Sequence, residues 1–397
     1  MSKNKNKRYI HNYDVQYNAQ INRINKSEAL SVNKKLVLDF ERNCFIKENS
    51  ALPTRVKYLD VLTTIAIKYI EKEFSKLSKK EVEDLIYKIE KREDITISTK
   101  AKYKTIIKKF GKYLELDVDW IKTGIKAKDR PLITASEILS EEEIEKLIKN
   151  AEHPRDKAFI SVLYESGARI GEIGLLPIKS VSRDEYSFLI DLEGKTGTRT
   201  VRLIFSEPYL ATWLNQHPFN DDPESPVWVM KDTVTKKILN KPLNYRALYK
   251  VIERLVKKVG IKKRVHPHLL RHSRVTHLLK NKQINESQAK VLFGWTPASN
   301  MLANYSHLVS ADVNETLLEI NGIKKKEQLE NRFRSKSCMS CKKINSKEAL
   351  FCQYCSKPLD YETIEKIDNV NQVIMEKIRN LSPDDVLKVL ARSKGLK

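Results

Sequence analysis

The segment HPHLLRHSRVTHLL, residues 266–279, decides how the second half of this sequence is interpreted. Pro267 suits the first position of a helix, because that position needs no backbone N–H. His268 and Arg271 are three residues apart and therefore project from the same face of the predicted helix. An imidazole and a guanidinium thus point at one spot. The alternative is a histidine bonded to a carbonyl and an arginine that only reaches water.

A second arginine lies in YESGARIGEIGLLPIKSV, residues 164–181. Gly167 predicts the end of one helix, and Arg169 opens the next, with Glu172 placed to hold its guanidinium. An arginine near a helix N-terminus does not complement the helix dipole. An external anion would explain this arrangement, and a simple ion pair with Glu172 is the alternative.

Residues 186–205 are predicted to form a β-hairpin, because YSFLIDL and TRTVRLIF alternate apolar with polar residues around the turn EGKTG. Lys195 occupies this turn, where a lysine is often only solvated. Three other cations lie nearby in the sequence, namely Lys179, Arg199 and Arg202.

The segment NESQAKVLFGWTPASNMLANYSHL, residues 285–308, contains a helix start and a helix stop. Asn285 and Gln288 form a capping-box pattern, and Gly294 ends that helix just before Trp295. A second short helix, begun by TPAS, leads to Tyr305.

The order and approximate spacing of these elements resemble the catalytic domain of the tyrosine recombinases, the phage integrase family. That family carries an arginine in a helix-turn-helix segment, a lysine on a β-hairpin, His-x-x-Arg, a histidine or tryptophan, and a nucleophilic tyrosine. The resemblance implies a mixed α/β catalytic domain over residues 140–325. It assigns the catalytic positions to Arg169, Lys195, His268, Arg271, Trp295 and Tyr305.

The chemistry of these residue types agrees with the resemblance. A phosphodiester under attack carries charge on its non-bridging oxygens, which two guanidiniums can bind in bidentate fashion. The resemblance implies that Tyr305 attacks and forms a 3′-phosphotyrosyl link to DNA, with His268 as candidate base and Lys195 as proton donor to the 5′-oxygen. The indole N–H of Trp295 can donate to a phosphate oxygen, or Trp295 is a core aromatic at a helix end. We expect no requirement for a nucleotide or Mg²⁺.

The residues before this domain are predicted to be helical. Residues 1–30 are polar and basic and suggest a flexible arm, residues 31–121 a helical domain, and residues 122–139 a linker. The resemblance implies that residues 31–121 are the family's core-binding domain. The segment STKAKYKTIIKKFGKYL, residues 98–114, carries six lysines and no acid. A DNA-binding face is predicted for the lysines that step by four along it, and a solvated face is the alternative. These lysines are Lys100, Lys104, Lys108 and Lys112.

Four cysteines near the end of the chain predict a zinc ribbon over residues 336–359. Their spacing, C-x2-C, ten residues, then C-x2-C, can place four thiolates around one tetrahedral Zn²⁺, and a redox pair is the alternative. With all four positions taken by sulfur, the ion would be structural. Two helices are predicted over residues 360–397, the second from Ser382. The predicted ligands are Cys338, Cys341, Cys352 and Cys355.

The charge of the chain points to an acidic polymer as partner. Among 397 residues, 74 are Lys or Arg and 51 are Asp or Glu, so the formal net charge is +23. Double-stranded DNA is the first candidate and an anionic membrane surface the second. A run of about 18 apolar residues, as a membrane span needs, is missing. With clustered cysteines rather than a disulfide framework, this predicts a cytoplasmic protein.

The sequence therefore predicts a mainly α protein with a small antiparallel sheet that acts as a site-specific DNA recombinase or integrase. The family resemblance implies a specific attachment or recombination site and a homotetramer on paired sites. A type IB topoisomerase or a telomere resolvase would use much the same residues. A zinc-containing DNA-binding protein without activity is the alternative from another class.

Overall fold

The structure is a computed structural model of the chain. It describes residues 10–126, 129, 134, 136–194, 197–232, 234–281, 283–304, 318, 321, 323 and 332–380. The chain divides into two units, Met1–Ile133 and Thr134–Lys397. The division falls inside the predicted linker, residues 122–139.

Helices build the first unit, as predicted for residues 31–121. Its apolar helix faces meet in one core, where Phe110 packs edge-on against both Phe40 and Phe74. Ser78 begins one of the helices with a capping box. The helices are α1 (Tyr13–Lys26), α2 (Ser31–Ile46), α3 (Leu52–Lys68), α4 (Lys79–Glu90) and α5 (Ile97–Tyr113).

The prediction of a flexible arm over residues 1–30 is wrong from Tyr13 onward, where α1 begins. Ile24 is fully buried in the core, and Tyr17 and Ile21 pack against the same core. These residues recur at helical spacing within a polar, Asn-rich background. Their burial against α3 stabilises a helix that composition alone does not predict.

Three helices open the second unit: α6 (Glu141–Lys149), α7 (Pro154–Ser166) and α8 (Ile170–Ile173). The capping box predicted at Ser140 is confirmed, because its side chain accepts from the N–H of Glu143 and the Glu143 carboxylate accepts from the N–H of Ser140. The predicted end of α7 at Gly167 is also confirmed, since Gly167 adopts a left-handed conformation with φ of 54°.

The predicted β-hairpin is confirmed and carries an additional edge strand. Strands β1 (Val181–Arg183), β2 (Phe188–Gly194) and β3 (Gly197–Leu203) form an antiparallel sheet in that order. Ile190 lies opposite Val201, and both are buried. Buried residues alternate with exposed ones along β2 and β3, so one face of the sheet packs on the core.

Further helices and strands of the second unit follow this sheet in the sequence. They are α9 (Glu207–Asn215), β4 (Val229–Lys231), β5 (Ile238–Pro242), α10 (Tyr245–Val259), α11 (Pro267–Lys280), α12 (Glu286–Leu292) and a 3-10 turn at Met301–Asn304. The predicted limits of α10 are confirmed, because Asn244 caps its start and Gly260 ends it with φ of 73°. The hairpin formed by β4 and β5 was not predicted.

The cysteine segment forms a small two-stranded unit with β6 (Lys336–Ser337) and β7 (Ile344–Asn345), followed by α13 (Tyr361–Arg379). The second predicted C-terminal helix, from Ser382, lies outside the described residues. The fold class is confirmed as mainly α with small antiparallel sheets. Of the helices described, none has the length and apolar character needed to cross a membrane.

Candidate active site and metal centre

The turn between α7 and α8 holds Arg169. Arg169 is the N-cap of α8, and its backbone N–H donates to Glu172 Oε2 at 2.9 Å. Its Nη1 donates to Glu172 Oε1, also at 2.9 Å. The predicted pairing of Arg169 with Glu172 is therefore present. The Arg169 side chain is 32% exposed and Glu172 only 5%, so the carboxylate anchors the guanidinium from inside the protein.

Arg271 joins three segments of the site. Its side chain is buried, with the residue 4% exposed, and Nη1 donates to the carbonyl of Gly167 at 2.6 Å. Nη2 donates to the carbonyl of Phe293 at 2.8 Å, in the turn after α12. These bonds hold the Arg271 guanidinium in place. One of its acceptors, Gly167, is two residues before Arg169 in the sequence. The structure therefore brings the HPHLLRH segment and the YESGAR segment together.

Trp295 packs beside Arg271 inside the protein. Its ring centroid lies 5.6 Å from Cζ of Arg271 and 5.4 Å from the ring of Phe293. Trp295 is buried in a cluster with Val275. This position fits the core-aromatic alternative, and contact of its indole N–H with a phosphate stays a prediction.

His268 lies one turn before Arg271 on α11, with its side chain exposed. Crowding by the surrounding protein atoms lowers its pKa first, and the positive charges of Arg271, His266 and Arg169 lower the pKa further. The imidazole is therefore neutral at pH 7 and can accept a proton. Both Arg169 and Arg271 lower the pKa of His268, which agrees with the prediction that these three side chains lie near one another.

Glu172 has a second partner that the sequence did not reveal. Arg199 of β3 donates from Nη2 to Glu172 Oε2 at 2.8 Å and from Nε to the carbonyl of Leu292 at 3.0 Å. Burial acts to raise the pKa of Glu172, but the hydrogen bonds from Arg199 and Arg169 outweigh it, and the pKa lies below its ordinary value. Glu172 is thus an ionised carboxylate shared by two guanidiniums.

The structure separates Arg199 from the other cations near the hairpin. Lys179 pairs with Glu224, and Arg202 donates to both carboxylate oxygens of Asp184, at exposed positions. Arg199 instead points into the site. In the sequence, the alternation of apolar and polar residues along β3 was the only feature that pointed to Arg199. Its acidic partner, Glu172, is 27 residues away in the sequence.

Two predicted catalytic residues, Lys195 and Tyr305, lie outside the described residues. The residues that flank the hairpin turn, Gly194 and Gly197, pair with each other across the strands. On the other side, the 3-10 turn Met301–Asn304 ends just before Tyr305 in the sequence. The roles of both residues stay predictions.

The four predicted DNA-binding lysines of α5 all contact groups of the first unit. They are Lys100, Lys104, Lys108 and Lys112. The first two bond to the carbonyl and the carboxylate of Glu90, and the last two to the carbonyl and the carboxylate of Asp119. Acids from neighbouring segments therefore compensate this face, although α5 itself contains none. Contact with DNA phosphates stays a prediction, and DNA would compete with these carboxylates.

The four predicted metal ligands converge in the ribbon. Their Sγ atoms all lie within 4.8 Å of one another. Cys338 and Cys355 are 3.6 Å apart, and Cys341 and Cys352 3.5 Å. A tetrahedral ion with Zn–S bonds of about 2.3 Å separates its sulfurs by about 3.8 Å, so the cluster fits one such ion. The ribbon can therefore bind a metal.

Backbone N–H groups in the two Cys-x-x-Cys turns favour the thiolate forms of Cys338 and Cys352, whereas burial and the neighbouring thiols raise the pKa of Cys355. Those of Cys341 and Ser340 lower the pKa of Cys338. Burial opposes ionisation of Cys352, but the N–H groups of Tyr354 and Cys355 lower its pKa to about 6. A metal ligand must be deprotonated, so these turns are suited to binding.

Tyr354 connects the ribbon to the sheet formed by β1, β2 and β3. Its ring lies 4.9 Å from Cζ of Arg183, and its hydroxyl accepts from Arg183 Nη1 at 3.2 Å. The hydroxyl donates to Glu207 Oε1, also at 3.2 Å. Glu207 is fully buried and takes a further bond from Arg183. Because Tyr354 lies between two of the cysteines, the turn that would bind the metal also makes this contact.

Comparisons with known proteins agree with this geometry. The model of the phage integrase family matches residues 137–311. The chain is 33% identical to tyrosine recombinase XerA of Pyrococcus horikoshii over 148 residues, which cover 36% of this chain and 47% of that relative. The chain thus spans about half the length of this relative. A tyrosine recombinase of Thermosipho africanus is 28% identical over 241 residues, covering 58% of this chain and 81% of the relative.

Solved structures share the fold. The XerH site-specific recombinase bound to a palindromic difH substrate, in a post-cleavage complex, matches with a TM-score of 0.58 and 19% identity. The match covers 81% of this chain and 92% of that chain. The family model matches residues 137–311, which contain both Arg169 and Arg271, and the curated relatives that this chain resembles are tyrosine recombinases.

Proposed function

We propose that this protein is a site-specific DNA recombinase that cleaves and rejoins strands through a 3′-phosphotyrosyl intermediate. The observation that carries the proposal is that Glu172 holds the Arg169 guanidinium, while the carbonyl of Gly167, two residues before Arg169, holds that of Arg271. Guanidiniums stay charged at any physiological pH and bind phosphate oxygens in bidentate fashion. Two of them held in place can stabilise the charge that develops on a phosphorus under attack.

The chemistry follows from the remaining residues. The Tyr305 oxygen forms a bond to phosphorus while the bond from phosphorus to the 5′-oxygen breaks. The tyrosine proton passes to neutral His268, and the Lys195 ammonium gives a proton to the departing 5′-oxygen. Rejoining is the same step in reverse, with the 5′-hydroxyl as nucleophile. The phosphotyrosyl bond conserves the energy of the phosphodiester, so we expect no requirement for a nucleotide or Mg²⁺.

The partner we propose is double-stranded DNA at a specific site, with four protomers acting on two paired sites. The net charge of +23 supports a DNA partner. The XerH neighbour is bound to a palindromic substrate, which supports a symmetric arrangement of protomers on DNA. The unpaired thiols of the ribbon fit a reducing compartment, and we place the activity in the cytoplasm.

We further propose that the ribbon binds one Zn²⁺ and that this ion is structural. All four converging ligands are sulfur, which leaves no open position for catalysis. The small ribbon core contains little beyond the cysteines and Leu359, so metal binding would supply much of its folding free energy.

The test is trapping of a covalent protein–DNA complex. Purified protein is incubated with a library of duplexes that carry a nick and a randomised centre, because a nick lets the short 5′-fragment diffuse away after cleavage. Complexes that survive denaturing detergent are recovered, and their DNA is sequenced. Wild type should yield one enriched sequence, Tyr305→Phe no adduct, and the exposed control Tyr186→Phe the wild-type yield. No adduct from wild type, or adducts from Tyr305→Phe, would refute the proposal.

A further inference from the structure

We propose that Arg199 is a positioning residue for strand cleavage, which holds Arg169 in place through Glu172; this inference rests on the proposed recombinase function. Glu172 Oε1 accepts from Arg169 Nη1, and Oε2 accepts from both the backbone N–H of Arg169 and Nη2 of Arg199. One buried carboxylate therefore links the guanidinium assigned to the phosphate with a second guanidinium on β3.

The charge of Glu172 depends on Arg199. A carboxylate that is 5% exposed is costly to ionise without partners. The hydrogen bond from Arg199 is the largest of the effects that lower the pKa of Glu172, ahead of those from Arg169. Without Arg199 the carboxylate would be less fully ionised, and a neutral Glu172 would hold Arg169 more weakly.

Arg199 also reaches the opposite side of the site. Its Nε donates to the carbonyl of Leu292, and the next carbonyl along the chain, that of Phe293, accepts from Arg271. The side chain of Arg199 thus connects β3, the α8 turn and the end of α12. Both arginines assigned to the phosphate are bonded to segments that Arg199 joins.

Two glycines leave the space that this arrangement needs. A Cβ at Gly194 would lie 2.6 Å from Glu172 Oε1, and a Cβ at Gly294 would lie 2.7 Å from Arg199 Nη1. Gly294 also has φ of 59°, which L residues rarely adopt. The backbone therefore approaches the Glu172–Arg199 pair closely from both the hairpin and the α12 turn.

Protein groups enclose most of the Arg199 side chain. That side chain is 10% exposed, Nη2 and Nε are engaged with protein acceptors, and Nη1 is buried without an acceptor among the described residues. A lysine at this position could reach one of the two acceptors, but its single ammonium could not bridge them. Arg199 consequently acts through Glu172 and the α12 turn rather than on the phosphate itself.

The experiment compares Arg199→Gln and Arg199→Lys with Arg202→Gln, an arginine of the same strand that pairs with Asp184 on the exposed face. The substrate is the nicked duplex recovered by trapping, and the protein is in saturating excess. The rate constant of adduct formation is measured. The fraction of protein that reacts and the affinity for DNA are measured separately. We expect Arg199→Gln to lower the rate constant about 100-fold, as misplacement of a catalytic group by about 1 Å does. The rate constant of Arg199→Lys should lie between those of Arg199→Gln and wild type. The rate constant of Arg202→Gln should equal that of wild type.

A second substrate distinguishes positioning from general loss of structure. In a methylphosphonate duplex, one non-bridging oxygen at the cleaved position is replaced by methyl, so the charge that Arg169 neutralises is absent. The penalties of Arg169→Gln and Arg199→Gln should both shrink on this substrate. A penalty for Arg199→Gln that is unchanged on the neutral substrate would overturn the proposal.

The remaining outcomes are equally clear. A wild-type rate constant for Arg199→Lys and Arg199→Gln would also overturn it. If Arg199→Gln does not fold, the same comparison is made with Arg199→Lys, which keeps the buried charge. Its rate constants on the ordinary and the methylphosphonate duplex then test the proposal. If wild type itself forms no adduct on any duplex, the recombinase function fails, and the role of Arg199 fails with it.

Discussion

Replacing Gly167 with alanine should destabilise the protein more than replacing Gly260, although both glycines end a helix in the left-handed conformation. Their φ angles are 54° and 73°. The strain of placing an L residue there is about 1–2 kcal/mol at either position. The gain from a less flexible unfolded chain is also common to both substitutions. The difference between the variants therefore isolates the space around each residue.

That space differs sharply. A Cβ at Gly167 would lie 2.3 Å from Cε1 of Phe293, whereas nothing lies within 4 Å of a Cβ at Gly260. Phe293 is fully buried between Arg271 and Trp295, so it cannot move without disturbing them. Overpacking of this kind costs about 1–3 kcal/mol. Gly167→Ala should therefore melt roughly 2 to 12 °C below Gly260→Ala, at about 2–4 °C per kcal/mol.

The same displacement should affect catalysis. The carbonyl of Gly167 and that of Phe293 are the two acceptors of Arg271, so a shift of either moves this guanidinium. We expect the rate constant of adduct formation to fall about 10- to 100-fold for Gly167→Ala and to stay unchanged for Gly260→Ala. Thermal unfolding followed by tryptophan fluorescence and the nicked-duplex assay provide the two measurements. Equal melting temperatures for the two variants would refute the steric reasoning.

Three further outcomes can be measured directly. Cys352→Ser should reduce bound zinc from one ion per chain to none by metal analysis, whereas Cys44→Ser, a buried thiol of the first unit, should retain it; full zinc content in Cys352→Ser would contradict the assigned ligand set. Because the pKa of His268 is lowered, the rate of adduct formation should hold as the pH falls to about 6.5 and drop only below that, where protonation removes the acceptor. A decline centred above that pH would argue against His268 as base. Tyr354→Phe should destabilise the second unit by about 1–3 kcal/mol, since it removes the hydroxyl bonded to Glu207, whereas Tyr361→Phe at an exposed position should cost almost nothing. Equal denaturation midpoints for these two variants would mean that the hydroxyl contributes nothing to docking.

Local chemistry made much of the fold predictable. Ser140 and Asn285 start helices with capping boxes, and Gly167 and Gly260 end helices with positive φ, because each signal acts within a few residues of chain. The hairpin was predictable for the same reason, since alternation and a Gly-containing turn are local. The hairpin of β4 and β5 was missed because its strands are short and contain a register shift at Val229.

Features that depend on distant segments were not predictable. The partner of Arg199 comes from another helix, and the acids that compensate the lysines of α5 come from Glu90 and Asp119. Likewise, α1 owes its order to burial against α3, which composition does not reveal. In the candidate site, the sequence identified Arg169, Arg271 and the cysteines as groups, but the shared carboxylate of Glu172 required their arrangement in space.

The contact between Tyr354 and Glu207 bears on how the catalytic region can be produced in isolation. A shortened chain that stops before Lys336 would expose a carboxylate and a guanidinium that the ribbon normally covers, next to the first turn of α9. In such a fragment, Glu207 and Arg183 would keep their ion pair but lose the ring and the hydroxyl that Tyr354 supplies. Keeping the ribbon, or changing Glu207 together with Arg183, avoids this exposure.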